Sequence, residues 1–507
     1  MSRPKRVLIL TNSEHGQANV CLATSYALLT VDEEVEVHFA SFAAIEDDVQ
    51  EIAEFASEHN TKSGRRIIFH KINGLDMQSA WSRPEVYLDK ELLKRRKSFG
   101  DAWRQMRILL QVMFPWSGPE YVEIFESVVD IIEDVNPDII AVDPILSQAL
   151  TACRHLGRKF VVLSPNTIKE FSIAAQPWGE ALWRYPCVGC AFPFPMPLYY
   201  VPFNILLVFF IIIATLLDPH RRQIRRYFHA HARGTPQQLI TLNDLAVGRG
   251  AAAKILVANL PGLEFPLRYI PEYIIPCGPM LRPARPIEQA DPGLAGWFRR
   301  STNGKSNGGD ISPVIYINLG THFRMEEEVA VEMATALRIV LDLARSRHEG
   351  GTEIKSGNVR IVDWIEPEPA VILAEESIVC AVHHGGANSF LEAARAGVPQ
   401  VVLPIWTDTF DFARRVELLG IGRWGIRYAR SSGWGTGLGN VLVDVLLSEN
   451  AESYKTRSKE LALQCNRNGG GRVVAARAIL AEIEDDNDQK HLQNEESGAE
   501  LETDRLI

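Results

Sequence analysis

Short apolar runs alternate with longer stretches whose apolar positions recur every three to four residues, and this alternation organises most of the chain. Arg6–Thr11 is an apolar run that ends in the polar loop Asn12–Gln17, and the helix-like stretch Val20–Leu29 follows. Val35–Ala40, Arg66–His70, Asp138–Asp143 and Phe160–Leu163 read as further strands, with an amphipathic helix around Glu123–Val135. Strands that are apolar at every position are covered on both faces, which predicts parallel sheets flanked by helices. The pattern breaks at Pro276–Pro279 and at the Pro/Arg-rich Leu281–Pro286, then crosses the polar loop Ser301–Ser312. It restarts with Val314–Leu319, Val359–Val362, Ile378–Val382 and Gln400–Leu403. The expectation is two α/β halves, 1–275 and 313–483, joined by a linker and flexible loop over 276–312 and followed by a tail over 484–507.

Composition narrows the class. A chain of 507 residues predicts two or three folded units. With 46% apolar and 23% charged residues it reads as a soluble globular protein. Of its formal charge of -10, most sits in the segment from Glu482 to Ile507, which has ten acidic and two basic residues and is too charged to pack. An acidic balance of this kind excludes a dedicated nucleic-acid binder, which needs a basic face for phosphates. Seven cysteines without repeated spacing point to a reducing, cytoplasmic setting. Cys187 and Cys190 match CxxC but have no second pair for zinc, so they read as two loop thiols. The opening run Val7–Leu10 is too short for a secretory signal and reads as a strand.

One segment stands apart. Ile205–Leu217 is apolar except for Thr215, and Arg221, Arg222, Arg225 and Arg226 follow it. Thirteen residues span only about 20 Å as helix, short of the roughly 30 Å hydrocarbon core. Three readings stay open: a buried pocket helix, a monotopic membrane dip on the cytosolic face, and a true span.

The candidate chemistry lies mainly in 364–408. Val382-His383-His384-Gly385-Gly386-Ala387-Asn388-Ser389 is a strand ending in glycines and then a helix start. That arrangement brings free N–H groups and the positive end of a helix together, which suits an anion such as phosphate. Glu392 lies one turn further in, placed to accept from sugar hydroxyls. Gly433–Gly439 lacks a preceding strand and the lysine of a phosphate loop, and reads as a flexible loop before a helix at Asn440. Asp485-Asp486-Asn487-Asp488 reads as solvated charge in the tail.

Taken together, Trp364, an apolar strand, His384-Gly385-Gly386-Ala387-Asn388-Ser389 with Glu392, Gly397-Val398-Pro399 and Pro404-Ile405-Trp406-Thr407-Asp408 resemble the donor-binding signature of the UDP-glycosyltransferases. These are family 1 enzymes, and the likeness is closest to fungal members. Ser13–Gln17 after the first strand, Val142-Asp143 at the end of a later one, Cys277-Gly278-Pro279 and Tyr316–Thr321 extend the resemblance over most of residues 1 to 480. It implies the GT-B fold, an α/β architecture of two Rossmann-like domains facing across a cleft, with the acceptor in the N-terminal domain and the nucleotide sugar in the C-terminal one. It also implies inverting transfer of a hexose from a UDP-sugar to a hydroxyl of a lipophilic small molecule.

In that scheme His15 is the general base and Asp143 orients it. Trp364 stacks on uracil, Glu392 holds the ribose, and Asp408 with Thr409 meets the sugar. Thr321, His384, Gly386, Asn388 and Ser389 surround the diphosphate. The UDP-sugar is a co-substrate, and neither a cofactor nor a metal is expected. A base with a pKa near neutrality suits the acceptor's proton, which must leave as the new bond forms. The segment Trp364–Pro369 is longer than the family's Trp-x-Pro-Gln, Thr409 replaces a usual Gln, and Phe412 stands where Asn or Trp is expected. An inactive nucleotide-sugar-binding or membrane-recruited scaffold is the alternative, as is a transferase acting on a lipid-linked sugar. The partners expected are therefore a UDP-sugar, a lipophilic acceptor and a membrane contact through Ile205–Leu217.

Overall fold

The computed structural model describes residues 3–59, 67–83, 110–234, 238–248, 253–302, 313–320, 327–347, 360–362, 364–404, 408–426 and 433–484. Its N-terminal half is built on β1 (Lys5–Leu10), β2 (Val35–Ser41), β3 (Ile67–Lys71), β4 (Ile139–Val142), β5 (Phe160–Ser164), β6 (Ile255–Val257) and β7 (Ile274–Pro276). These form one parallel sheet in the order β3-β2-β1-β4-β5-β6-β7. The chain reverses its direction of sheet growth between β1 and β4, and in such sheets ligands bind outside the carboxyl ends of the strands at that point. Register pairs Leu10 with Val142, so the loops leaving β1 and β4 lie side by side.

Helices α1 (His15–Val31), α2 (Glu46–His59), α3 (Gly118–Val135), α4 (Ser147–His155) and α5 (Ile168–Ser172) cover this sheet, and α6 (Val201–Leu217) and α7 (Pro219–His231) follow. The predicted helix around Glu123–Val135 starts earlier, at Gly118, because Ser117 and Glu120 form a reciprocal capping box with Pro119 in the first turn.

The C-terminal half holds β8 (Val314–Asn318), β9 (Ile378–His383), β10 (Gln400–Val402) and β11 (Gly422–Trp424) in the order β11-β10-β9-β8, again all parallel. Helices α8 (Glu327–Arg347), α9 (Ala387–Ala396), α10 (Thr409–Leu418), α11 (Gly435–Leu447) and α12 (Ala451–Cys465) pack around it. A last helix, α13 (471–484), crosses back to the first half. Its Ala475, Ala476, Ile479 and Ile483 join the same apolar core as Val7, Ile9 and Leu28.

The structure corrects the sequence expectation in three places. Residues 360–362 form no strand, and Ile361 is 90% exposed, so this part of the predicted strand does not join the sheet. Gly433–Gly439 is not a loop that lasts until Asn440, because α11 begins at Gly435. The reason is packing: a Cβ on Gly439 would lie 2.8 Å from Ile339 Cδ1, so glycine lets α11 approach α8 closely. The pocket-helix reading of Ile205–Leu217 also fails, since among the residues of α6 only Asn204 and Leu207 are buried.

The two halves are joined by a buried charge network. Lys169 of α5 pairs with Asp411 of α10, which also pairs with Arg414. Arg415 of α10 pairs with Glu264 of the first half at 2.6 Å, with the two side chains 0% and 1% exposed. Glu264 additionally accepts from the backbone N–H of Lys169 at 3.1 Å. Burial alone would raise the Asp411 pKa, but Lys169, Arg414 and Arg415 hold it below the ordinary carboxylate value. Removing one member leaves an uncompensated buried charge. Arg415→Met is therefore expected to cost about 3–5 kcal/mol in urea unfolding, whereas Arg423→Met, at a half-exposed pair, should cost less than about 1 kcal/mol.

Candidate active site

The first half contributes the ends of β1 and β4. His15 opens α1 and is exposed. Asp143 is buried, and both its oxygens are engaged: Oδ2 accepts from Thr11 Oγ1 and Asn12 N, each at 3.2 Å, and Oδ1 accepts from Ile145 N at 2.8 Å. Burial raises its pKa against the pull of these bonds. No hydrogen bond or ion pair joins Asp143 to His15 among the described residues. In this structure Asp143 thus shapes the loop that presents His15 rather than touching the imidazole.

The second half contributes the turn from β9 into α9. The adjacent histidines take different parts. His383 is buried, with Nε2 against Gln400 Oε1 at 2.9 Å and Nδ1 accepting from Gly385 N at 3.1 Å, and burial pulls its pKa down to about 4. It is a neutral turn support. His384 instead fills a slot between two glycines: a Cβ on Gly320 would lie 2.6 Å from its Cε1, and one on Gly386 would lie 2.5 Å from its Nε2. Gly386 caps α9, so Gly386, Asn388 and Ser389 present the first turn of a helix beside that imidazole. Asn388 Nδ2 reaches the carbonyl oxygen of His15, 3.5 Å away in the other half.

These parts meet at a crevice lined by Asn19, Arg282, Glu368, Asn388 and Glu392, with Met280, Leu281 and Ala370. Burial, and then the nearby Glu368, push Glu392 up to about 8. The carboxyl group is consequently protonated near neutrality and can both donate and accept. Arg282, from the connection between the halves, pairs with Asp48 at 2.8 Å and with Glu368 at 3.6 Å. Its Nε and the Oδ1 of Asn19 are buried with no hydrogen-bond partner among the described residues.

Asp408 precedes α10 and faces the first half, where it adds to the burial that pushes Glu170 of α5 up to about 7 against the opposing Thr167 N–H bond. Thr409 is fully buried, and a Cβ on Gly385 would lie 3.2 Å from its own Cβ. That removes Thr409 from the open surface expected for a sugar contact. Trp364 is 64% exposed, and Thr321 lies outside the described residues. No cluster of three or more His, Cys, Asp or Glu able to hold a metal occurs among the described residues.

Residues 328–458 match the family model described as Erythromycin biosynthesis protein CIII-like, C-terminal domain. Glycosyltransferase sdnJ of Sordaria araneosa is 33% identical over 446 residues, covering 83% of this chain and 83% of that protein. The chain belongs to the UDP-glycosyltransferase family.

Solved structures show that this glycosyltransferase has the GT-B fold. The glycotransferase of kitacinnamycin superposes with a TM-score of 0.60 at 18% identity, over 95% of this chain and 100% of that one. A UDP-glucosyltransferase from Polygonum tinctorium gives 0.62 at 15% identity, over 96% and 100%.

Sequence reasoning about the glycosyltransferase missed Asn19, Arg282, Glu368 and Glu170. Only Glu170 carried a local signal, since Thr167-x-x-Glu170 is a capping box before an apolar residue run.

The raised Glu392 pKa gives a pH prediction. Between its ordinary value of 4.5 and about 8 the folded enzyme keeps a proton that the unfolded chain has lost. Stability therefore falls as pH rises through that window. Glu392→Gln should flatten the fall by up to about 1.4 kcal/mol per pH unit, read by denaturant unfolding of both proteins at pH 5, 6.5 and 8.

Proposed function

We propose that this glycosyltransferase is an inverting, UDP-dependent hexosyltransferase that acts on a hydroxyl of a lipophilic small molecule of terpenoid, sterol or polyketide type. The observation that carries the reading is the crevice between the halves. Among the described residues it offers an unpartnered acceptor at Asn19 Oδ1, an unpartnered donor at Arg282 Nε and a carboxyl at Glu392 that can do both. A sugar hydroxyl, which both donates and accepts, matches such a mixed lining.

In this reading the diphosphate lies at the start of α9, against His384, Asn388 and Ser389. His384 and the helix N–H groups meet the negative charge that grows on the leaving UDP, so no metal is required. Trp364 stacks on the base, Glu392 holds the ribose and Asp408 faces the sugar. His15 Nε2 or Nδ1 takes the acceptor's hydroxyl proton while that oxygen bonds to the anomeric carbon and the bond from that carbon to the phosphate oxygen breaks. Asp143 holds the loop that aims His15. A family model named for an erythromycin biosynthesis protein supports a role in secondary metabolism. The exposure of α6 supports attachment of the cytoplasmic enzyme to a membrane surface.

Two outcomes test the catalytic reading. His15→Ala should lower turnover roughly 10² to 10⁴-fold while UDP still binds, because the donor residues lie in the other half. Unaltered turnover would remove His15 as the base. UDP release from UDP-glucose should persist in EDTA, and His384→Ala should lower it about 10-fold or more through loss of a donor to the leaving group.

A further inference from the structure

The face of α6 turned to solvent is apolar along its length. Phe203, Leu206, Phe209, Ile213 and Leu216 recur at helical spacing, and each is at least 44% exposed. A surface helix normally places polar side chains on that stripe. The opposite face is fixed to the protein. The Asn204 side chain accepts from Cys187 N at 2.7 Å and donates to the carbonyl oxygens of Leu182 and Tyr185 at 2.8 and 3.1 Å, and Leu207 packs on Cys187 and Cys190. The helix can neither turn its apolar stripe inward nor leave the domain without breaking those bonds.

From Leu198 to Leu217 there is no charged residue, and large apolar side chains are exposed along this whole stretch. A contiguous patch of this kind marks an interaction surface.

Charge at one end of the stripe selects the occupant. Arg222 of α7 donates to Leu216 O at 3.1 Å, so the basic helix begins where the apolar stripe ends. Arg221 is drawn into the fold over the Phe114 ring at 4.9 Å. Arg225 and Arg226 are exposed and make no ion pair among the described residues. At the other end stand the exposed Leu198 and Tyr199. Apolar stripe, aromatic end and unpaired arginines together suit the boundary of a bilayer, where side chains such as Tyr and Arg sit at headgroup level.

We infer that α6 lies in the plane of an anionic membrane surface, with its Phe203–Leu216 stripe in the acyl boundary and Arg225 and Arg226 on lipid phosphates and carboxylates. This rests on the membrane reading of α6 given above and adds to it the orientation and the lipid class. It holds a GT-B acceptor domain against the phase in which a lipophilic acceptor dissolves.

The test is co-sedimentation of the full chain with phosphatidylcholine vesicles, with and without phosphatidylserine. Wild type should bind the phosphatidylserine vesicles the more tightly. Phe209→Glu with Ile213→Glu should abolish binding to both kinds. Arg225→Gln with Arg226→Gln should weaken binding to the anionic vesicles about thirtyfold and leave binding to neutral ones unchanged. UDP release should be the same in all three proteins, which shows that each is folded. Equal binding of wild type to both vesicles would overturn the anionic selectivity and leave the membrane reading standing. Absence of binding to either, with a dimer that the Phe209→Glu, Ile213→Glu variant dissociates, would overturn both and assign the stripe to a second copy. Resistance to alkaline carbonate extraction together with protease-accessible loops on both sides of the membrane would overturn the in-plane orientation.

Discussion

The arrangement of this enzyme depends on the docking of α10 into the opposite half through buried charge. Lys169 and Glu264 belong to the N-terminal half, and Asp411, Arg414 and Arg415 belong to α10. The Lys169–Asp411 and Arg415–Glu264 pairs each join one ion from either half, so the network exists only in the assembled molecule. Buried pairs of this kind add little net stability over apolar packing, and removing one partner is costly. Here their effect is positional: they fix the helix whose first residues follow Asp408, and so they fix the carboxylate that faces Glu170 across the halves.

A second constraint acts where backbone and imidazole crowd together. Gly320 and Gly385 have φ near +80° and +88°, a conformation that side-chain-bearing residues avoid. Gly320 and Gly386 leave the slot that His384 fills, and Gly385 sits over Thr409. The turn is further braced by His383, whose two ring nitrogens are used within the fold. Of two identical neighbours, one supports the turn and the other enters the slot between Gly320 and Gly386, because successive residues leaving a strand point to opposite sides.

A third close approach ties the linker to the last helix. A Cβ on Gly471 would strike the backbone of Gly278, and Arg472 donates to Leu281 O at 3.1 Å. Because α13 then lies on the first half, where Lys159 meets Glu482 at 3.3 Å, the chain crosses between the halves twice. Arg282 sits in that first crossing, which explains how one linker side chain can pair with Asp48 on one side and Glu368 on the other.

The sequence by itself determined what is local. Apolar runs such as Val7–Leu10 and Ile139–Val142 specify buried parallel strands because strand burial is written in consecutive residues. The turn from His383 to Glu392 was legible for the same reason, since strand, glycines and helix start are contiguous in the chain. Local pattern failed where neighbours distant in sequence decide the outcome. Residues 360–362 have a strand's composition yet form none, and Gly435 and Gly439 lie in a helix because their lack of a side chain lets it pack closely on α8. Tertiary structure alone decided that Lys169 meets Asp411 across 242 residues, that Arg282 enters the crevice, and that the apolar stripe of α6 faces out. Hydropathy records how apolar a helix is, whereas which of its faces is covered depends on the shape and polar partners of the surface it meets.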